Sequence, residues 1–270
     1  LDFTVNGTWS PDPALTGVSV VSSTATTTTL RVTTQHGLAV HAHLLDGSAP
    51  GRKIWANLGN DWNTPAHWGA NWGGSLPAND TVTDTAVLGA ATVQPVLDTA
   101  YSVKGIEMAG SADLSGTGGL TLGAGGITTT GSGNSLSLAN VTLAASQTWD
   151  IAAGGMSVTS AIGGSAPLTK SGAGTLALSG NNTFTGGITV NPGSGLVTVG
   201  GNQSAATGGW LIGSSAGSAT AVEFSAGSTV NVAADRQFRI GNTNATGTAN
   251  QTLNVSGNVS NAGSLILGRP

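Results

Sequence analysis

The strongest constraint on this chain is the brevity and spacing of its apolar units. Residues 168–199 show it best: Thr175-Leu176-Ala177-Leu178 and Ile188-Thr189-Val190 place apolar side chains at i and i+2, the spacing that lines one face of a strand. Between them stand Ser171-Gly172-Ala173-Gly174, Gly180-Asn181-Asn182 and Gly186-Gly187, residues that reverse a chain at low cost. Strand and turn alternate with no helical stretch between them.

Within that stretch, Thr169-Lys170-Ser171-Gly172-Ala173-Gly174-Thr175-Leu176, Leu178-Ser179-Gly180-Asn181-Asn182-Thr183 and Thr185-Gly186-Gly187-Ile188-Thr189-Val190-Asn191 resemble the autotransporter-associated β-strand repeat. This is also called the passenger-associated transport repeat, of large secreted bacterial proteins. The pattern departs at Phe184, where Tyr is commoner, and at Pro192 to Gly195, where the turn is longer. Gln147-Thr148-Trp149 resembles a segment that often precedes the repeat. The resemblance implies a parallel β-helix exported to the bacterial cell surface, and it carries over no catalytic residue.

Elsewhere the same grammar continues. Ala86-Val87-Leu88, Thr92-Val93, Ser102-Val103, Leu120-Thr121-Leu122, Leu136-Ser137-Leu138, Val141-Thr142-Leu143, Trp149-Asp150-Ile151 and Met156-Ser157-Val158 precede the central repeat. After it come Leu211-Ile212, Val222-Glu223-Phe224, Val230-Asn231-Val232, Phe238-Arg239-Ile240, Leu253-Asn254-Val255 and Leu265-Ile266-Leu267. Three such units per coil predict a solenoid period of about 20 to 30 residues. About seven coils beyond residue 90, at roughly 4.8 Å each, predict a rod roughly 35 Å long. The expected fold is all-β, a parallel β-helix behind an N-terminal β segment; a β-sandwich is the alternative.

Three segments are expected. Residues 1–50 form a β segment with candidate strands at 3–5, 18–21, 30–33 and 38–45, favoured by the Thr-rich run at 24–29. Residues 51–84 hold Trp55, Trp62, Trp68 and Trp72 at spacings that fit neither a strand nor one helical face, and read as irregular loops pinned by indoles. Residues 85–270 form the coils.

Composition narrows the function classes. Charged residues make up 7% of the chain, against roughly 25% in average proteins. The net charge of −4 and eight scattered Lys and Arg residues provide no basic stripe for nucleic acid. With no cysteine, disulfides and thiol chemistry are excluded. No apolar run is long enough for a membrane-spanning helix. The start at Leu1, without Met or a leader, is read as a mature or excised chain whose targeting signal has been removed.

Chemistry-bearing residues are sparse. His41 and His43, with His36 and Asp46 nearby, could meet a zinc ion, but H-x-H is common by chance and surface histidines are the preferred reading. Asp113, Asp150, Glu223 and Asp235 are isolated acids, which offers a glycosidase no adjacent carboxylate pair. Gly116-Thr117-Gly118 and Gly172-Ala173-Gly174 lead into no helix and read as turns, not phosphate loops. No catalytic, cofactor-binding or metal-ligating residue is therefore expected.

The residues singled out are structural. Leu176, Leu178, Ile188 and Val190 are expected to point inward. Trp55, Trp62, Trp68 and Trp72 are expected to close the N-terminal end of the coils, because an open solenoid end exposes apolar core and unpaired backbone. The opposite end, with Leu265 and Leu267, has no visible cover. Head-to-tail self-association, with Leu1, Phe3, Val5, Val18 and Val20 on strands that add to a neighbour, is one expectation there. Continuation in a longer polypeptide is the other. The function expected is a non-catalytic extracellular structural or adhesive protein, with binding or cleavage of a surface polysaccharide as the alternative.

Overall fold

The computed structural model describes residues 2–6, 18–23, 27–32, 51–56, 58–68, 75–89, 92–152, 154–203, 208–213, 220–241, 251–261 and 264–267. The chain divides into two compact units, Leu1–Leu45 and Asp46–Pro270.

The first unit contains a three-stranded antiparallel sheet of Asp2–Asn6, Val18–Ser23 and Thr27–Val32, with the third strand in the middle. Phe3 lies opposite Leu30 and Val5 opposite Thr28, while Val18 faces Val32 and Val20 faces Leu30. The β-branched composition of these segments suits extended backbone. Leu1, the strand expected at 38–45, and His36, His41, His43 and Asp46 lie outside the described residues.

In the second unit every strand ladder is parallel, and the only antiparallel contact described is an isolated bridge between Trp55 and Trp68. Sandwiches are antiparallel, so the parallel β-solenoid is the fold and the sandwich is not. The longest path runs through Arg52–Ile54, Thr85–Leu88, Tyr101–Ala109, Gly119–Thr130, Gln147–Ile151, Leu168–Ser171, Ile188–Val190, Trp210–Ile212, Gln237–Ile240 and Ser264–Leu267. A second, seven-stranded sheet runs from Asp113–Ser115 to Gln251–Val255, which marks about six full turns. A third face carries Asn140–Leu143 and Ala161–Gly163, and farther along Asn202–Gln203, Thr229–Val232 and Asn258–Asn261.

Register gives the period directly. Leu168 pairs with Ile188, Ile188 with Trp210, and Trp210 with Phe238, so the step is 20, then 22, then 28 residues. On the seven-stranded sheet Leu176 pairs with Val197 and Val222 with Leu253, steps of 21 and 31. Each short strand buries alternate residues, as the period of two requires: Leu176, Leu178, Ile188 and Val190 are all buried. The later coils, longer in sequence, hold a cluster of aromatic side chains. Trp210, Phe224 and Phe238 pack together, Trp210 edge-to-face on Phe224 at 5.2 Å.

Two early strands are long because each runs over two faces. Tyr101–Ala109 pairs with Gly119–Thr130 through a register shift between Val103 and Gly105. At that bend a side chain on Gly126 (φ 60°) would fall on the carbonyl oxygen of Thr148 in the next coil, so glycine is required by conformation and by space. From Asn140 onward the bend opens into two separate strands, both of which still pair with Gly119–Thr130.

Candidate functional site

Three surfaces of the solenoid unit could carry function: its outward sheet faces, its aromatic N-terminal region, and its last described coil.

The outward face of the seven-stranded sheet is built by alternation. Where Leu114, Leu136, Val158, Leu178, Val199 and Phe224 point inward, one step before them in register stand Asp113, Ser135, Ser157, Ala177, Thr198 and Glu223, followed by Asn254. One residue beyond the inward file run Ser115, Ser137, Thr159 and Ser179. Neighbouring coils are joined through these groups. Thr159 Oγ1 donates to Ser137 Oγ at 2.9 Å, and Ser135 Oγ donates to Asp113 Oδ1. Asp113 and Glu223 are five coil steps apart, about 24 Å at the neighbour-strand spacing. A glycosidase pair stands roughly 5 to 9.5 Å apart, so these acids cannot flank one bond. On the long sheet Glu107 is instead held by Arg52, whose Nε donates at 3.1 Å, in an exposed bidentate pair.

The aromatic region brings together three of the four tryptophans singled out by sequence. Trp62 and Trp68 are fully buried and Trp55 is 5% exposed. Their rings meet edge-to-face, Trp55 on Trp68 at 5.1 Å and Trp62 on Trp68 at 4.6 Å, and Tyr101 of the coil stands 5.7 Å from Trp62. Trp68 Nε1 donates to the Trp62 carbonyl at 2.8 Å and Trp55 Nε1 to the Val93 carbonyl at 3.0 Å, so the irregular segment is tied to itself and to the coils. Asp61 holds Thr64 through its side chain and Asn63 through its backbone N–H, which depresses its pKa in that order of effect. Tyr101 donates its hydroxyl to the Pro77 carbonyl, and burial followed by the charge of Asp84 raises its pKa. Trp72 lies outside the described residues.

At the last described coil the inward files reach solvent. Val255 continues the file of Phe224, Leu265 that of Phe238, and Val259 that of Val230, all three of which are buried. Val255 is 46% exposed, Val259 37% and Leu265 58%. Leu267 lies in the backbone register of Ile240.

Inside the coils stand polar groups that the sequence analysis did not single out. Asn182 Oδ1 accepts from Ile162 N at 2.8 Å and its Nδ2 donates to Gln203 Oε1 at 2.7 Å; Gln203 Nε2 donates to the Gly180 carbonyl. Gln147 accepts from the buried Trp149 indole. Lys170 is fully buried, its Nζ donating to the carbonyls of Ser171 and Gly172, both at 2.7 Å. Burial pulls its pKa down to about 8 against an opposing, smaller pull from Asp150. Gln147, Lys170 and Gln203 take buried positions of strands, where alternation points inward but polarity masks it, and Asn182 lies in a stretch without a strand, where no alternation marks it. Among the described residues no group of three or more His, Cys, Asp and Glu could hold a metal ion, and no helix is long and apolar enough to cross a membrane.

The class these features define is a parallel β-solenoid whose coils are closed by glycine corners and buried amides. Within it, residues 168–194 match the family model of the passenger-associated-transport-repeat, as their sequence pattern indicated. The match covers strands Leu168–Ser171, Thr175–Leu178 and Ile188–Val190 and the turns between them. No curated protein and no solved structure matches the chain.

Proposed function

We propose that this chain is a non-catalytic, outward-facing stretch of an exported bacterial surface protein, whose solenoid unit serves as a rigid structural or adhesive rod. The repeat at 168–194 and the solenoid fit a passenger-like protein, and the repeat suggests secretion or the cell surface. The observation that carries the non-catalytic reading is the outward file Asp113, Ser135, Ser157, Ala177, Thr198, Glu223 and Asn254. It is a run of mostly short side chains, polar except for Ala177, whose two acids stand about 24 Å apart. Such a file suits repeated weak hydrogen bonding to a surface better than attack on one bond. In this reading Trp55, Trp62, Trp68 and Trp72 act as the N-terminal lid of the coils, and their mutual burial supports that role where they are described.

The apolar positions Val255, Val259 and Leu265 favour association with a further coil. That coil comes from a longer polypeptide or from another copy joined head to tail, with the strands of Phe3, Val5, Val18 and Val20 as the edges offered to the neighbour. Sedimentation of the chain across a concentration series, with electron microscopy of the same samples, tests the second source. End-to-end particles that dissolve on Leu265→Glu support it, and a monodisperse monomer at high concentration removes it. Incubation with a panel of bacterial surface polysaccharides tests the alternative reading: release of reducing ends would replace the non-catalytic assignment by a lyase or hydrolase.

A further inference from the structure

The inward file of the long sheet that holds Lys170 is apolar on either side of it. Trp149 precedes it in register and Val190 follows it, and both are fully buried. A lysine in that file is costly, because a buried cation loses its hydration. Its surroundings show what it does there. The Nζ reaches the carbonyls of Ser171 and Gly172 at the start of the turn that joins two faces of its coil. The Gly172 carbonyl also accepts from Gly195 N at 3.0 Å, and the carbonyl of Lys170 itself accepts from Asn191 N at 3.0 Å and Ser194 Oγ at 3.2 Å, all in the next coil. On the other side Asp150 of the preceding coil faces the turn, its Oδ1 accepting from Ser171 Oγ at 3.1 Å. The amine therefore sits where three successive coils are fastened.

The proton count at this position is informative. A neutral amine has two N–H donors and meets two carbonyl acceptors; an ammonium has three donors for the same two. The two strands paired with that of Lys170, Gln147–Ile151 and Ile188–Val190, and the strand that follows its turn, Thr175–Leu178, contribute Asp150 as their one titratable side chain. Asp150 favours the charged form, but burial is the larger influence.

We propose that the inward Lys170 makes its coil a proton-responsive joint of the solenoid, looser while the amine carries its third proton and tighter once that proton is lost. The amine's ordinary pKa is 10.5 and its folded pKa about 8. A depressed lysine pKa means that the unfolded chain holds the extra proton over this window, so stability rises with pH from about 8 to 10.5 and is unchanged by this group below about 8. The joint is thus at its loosest at neutral pH.

The test is amide exchange of the coil amides at Leu176 and Ser179, corrected for the intrinsic pH dependence of exchange, at steps between pH 7 and pH 10, on the wild type and on Lys170→Met. Between pH 8 and 10 the wild-type protection factors should rise by up to tenfold per unit relative to the variant, while a coil remote from the amine, read at Leu114, should show no such difference. Parallel slopes in the two proteins would overturn the joint. If Lys170→Met does not fold, the wild-type amine is titrated by NMR of labelled lysine: an inflection near 8 supports the proposal, and one at an ordinary lysine value removes it.

Discussion

Leu178→Asp probes the packing of the central repeat at a buried point. Leu178 stands in register between Val158 and Val199, and all three are buried. Losing the apolar side chain costs about 1.5 to 3 kcal/mol. A carboxyl at that position is enclosed between the apolar side chains of Val158 and Val199 and must be protonated to remain inside. At pH 7, starting from an ordinary value near 3.9, protonation costs about 4 kcal/mol at 1.36 kcal/mol per unit. The sum, about 6 kcal/mol or more, rivals the whole stability of many domains. Urea unfolding followed by circular dichroism, with Leu178→Ala as the cavity control at about 2 to 5 kcal/mol, measures it. The introduced acid has a folded pKa above its unfolded one, so its stability is lost as pH rises from about 4. Unfolding at pH 4 should therefore bring Leu178→Asp close to Leu178→Ala, each referred to the wild type at the same pH. If Leu178→Asp unfolds with the wild type at pH 7, the inward assignment of the repeat is wrong.

Other perturbations separate the remaining parts of the account. Gly126→Ala should cost about 2 kcal/mol or more, because the added carbon meets the Thr148 carbonyl and φ is positive; a melting temperature within a degree of the wild type would refute the corner argument. Trp68→Ala should cost about 3 to 5 kcal/mol and expose the strand Arg52–Ile54 to proteolysis, since its ring meets both Trp55 and Trp62; unchanged cleavage would leave the lid without support. Asn182→Leu removes an amide that links Ile162 to Gln203 and leaves both groups unpaired, for a loss of about 1 to 3 kcal/mol, read by thermal unfolding. A variant as stable as the wild type would show that the amide file contributes nothing to coil stacking.

Much of the fold was legible because its rule is local. Leu176-x-Leu178 and Ile188-x-Val190 show by alternation which side is inward, and Gly172, with φ 75°, shows where the chain turns. Parallel pairing and three strands per coil followed from the short units and the repeat resemblance. The exceptions have physical causes. Thr92-Val93 alternates like a strand but lies in irregular chain, because Val96 makes the parallel bridges in that coil, to Asp61 and Ser115. The segment around Phe184 takes no strand, although Asn182 N and Thr183 N still reach the neighbouring coils and Phe184 is buried. The first strand of the long sheet, Arg52–Ile54, sits inside what reads as a loop segment, since two adjacent cations conceal its pairing with Thr85–Val87. Lys170, Asn182 and Gln203 were illegible as interior residues. Their polarity argues for the surface, and only the carbonyls and amides of adjacent coils make burial tolerable.

The proposed rod rests on a continuous outward file, and pulsed electron spin resonance measures that file directly. Spin labels are placed in pairs through cysteines at Ser135 with Thr198, Ser135 with Glu223, and Ser135 with Asn254, positions three, four and five coil steps apart in register. The account predicts backbone separations that increase by about 4.8 Å per step, roughly 14, 19 and 24 Å, with narrow distributions. Distances that fail to increase from one pair to the next, or broad distributions for all three, would contradict a rigid solenoid with one continuous polar face.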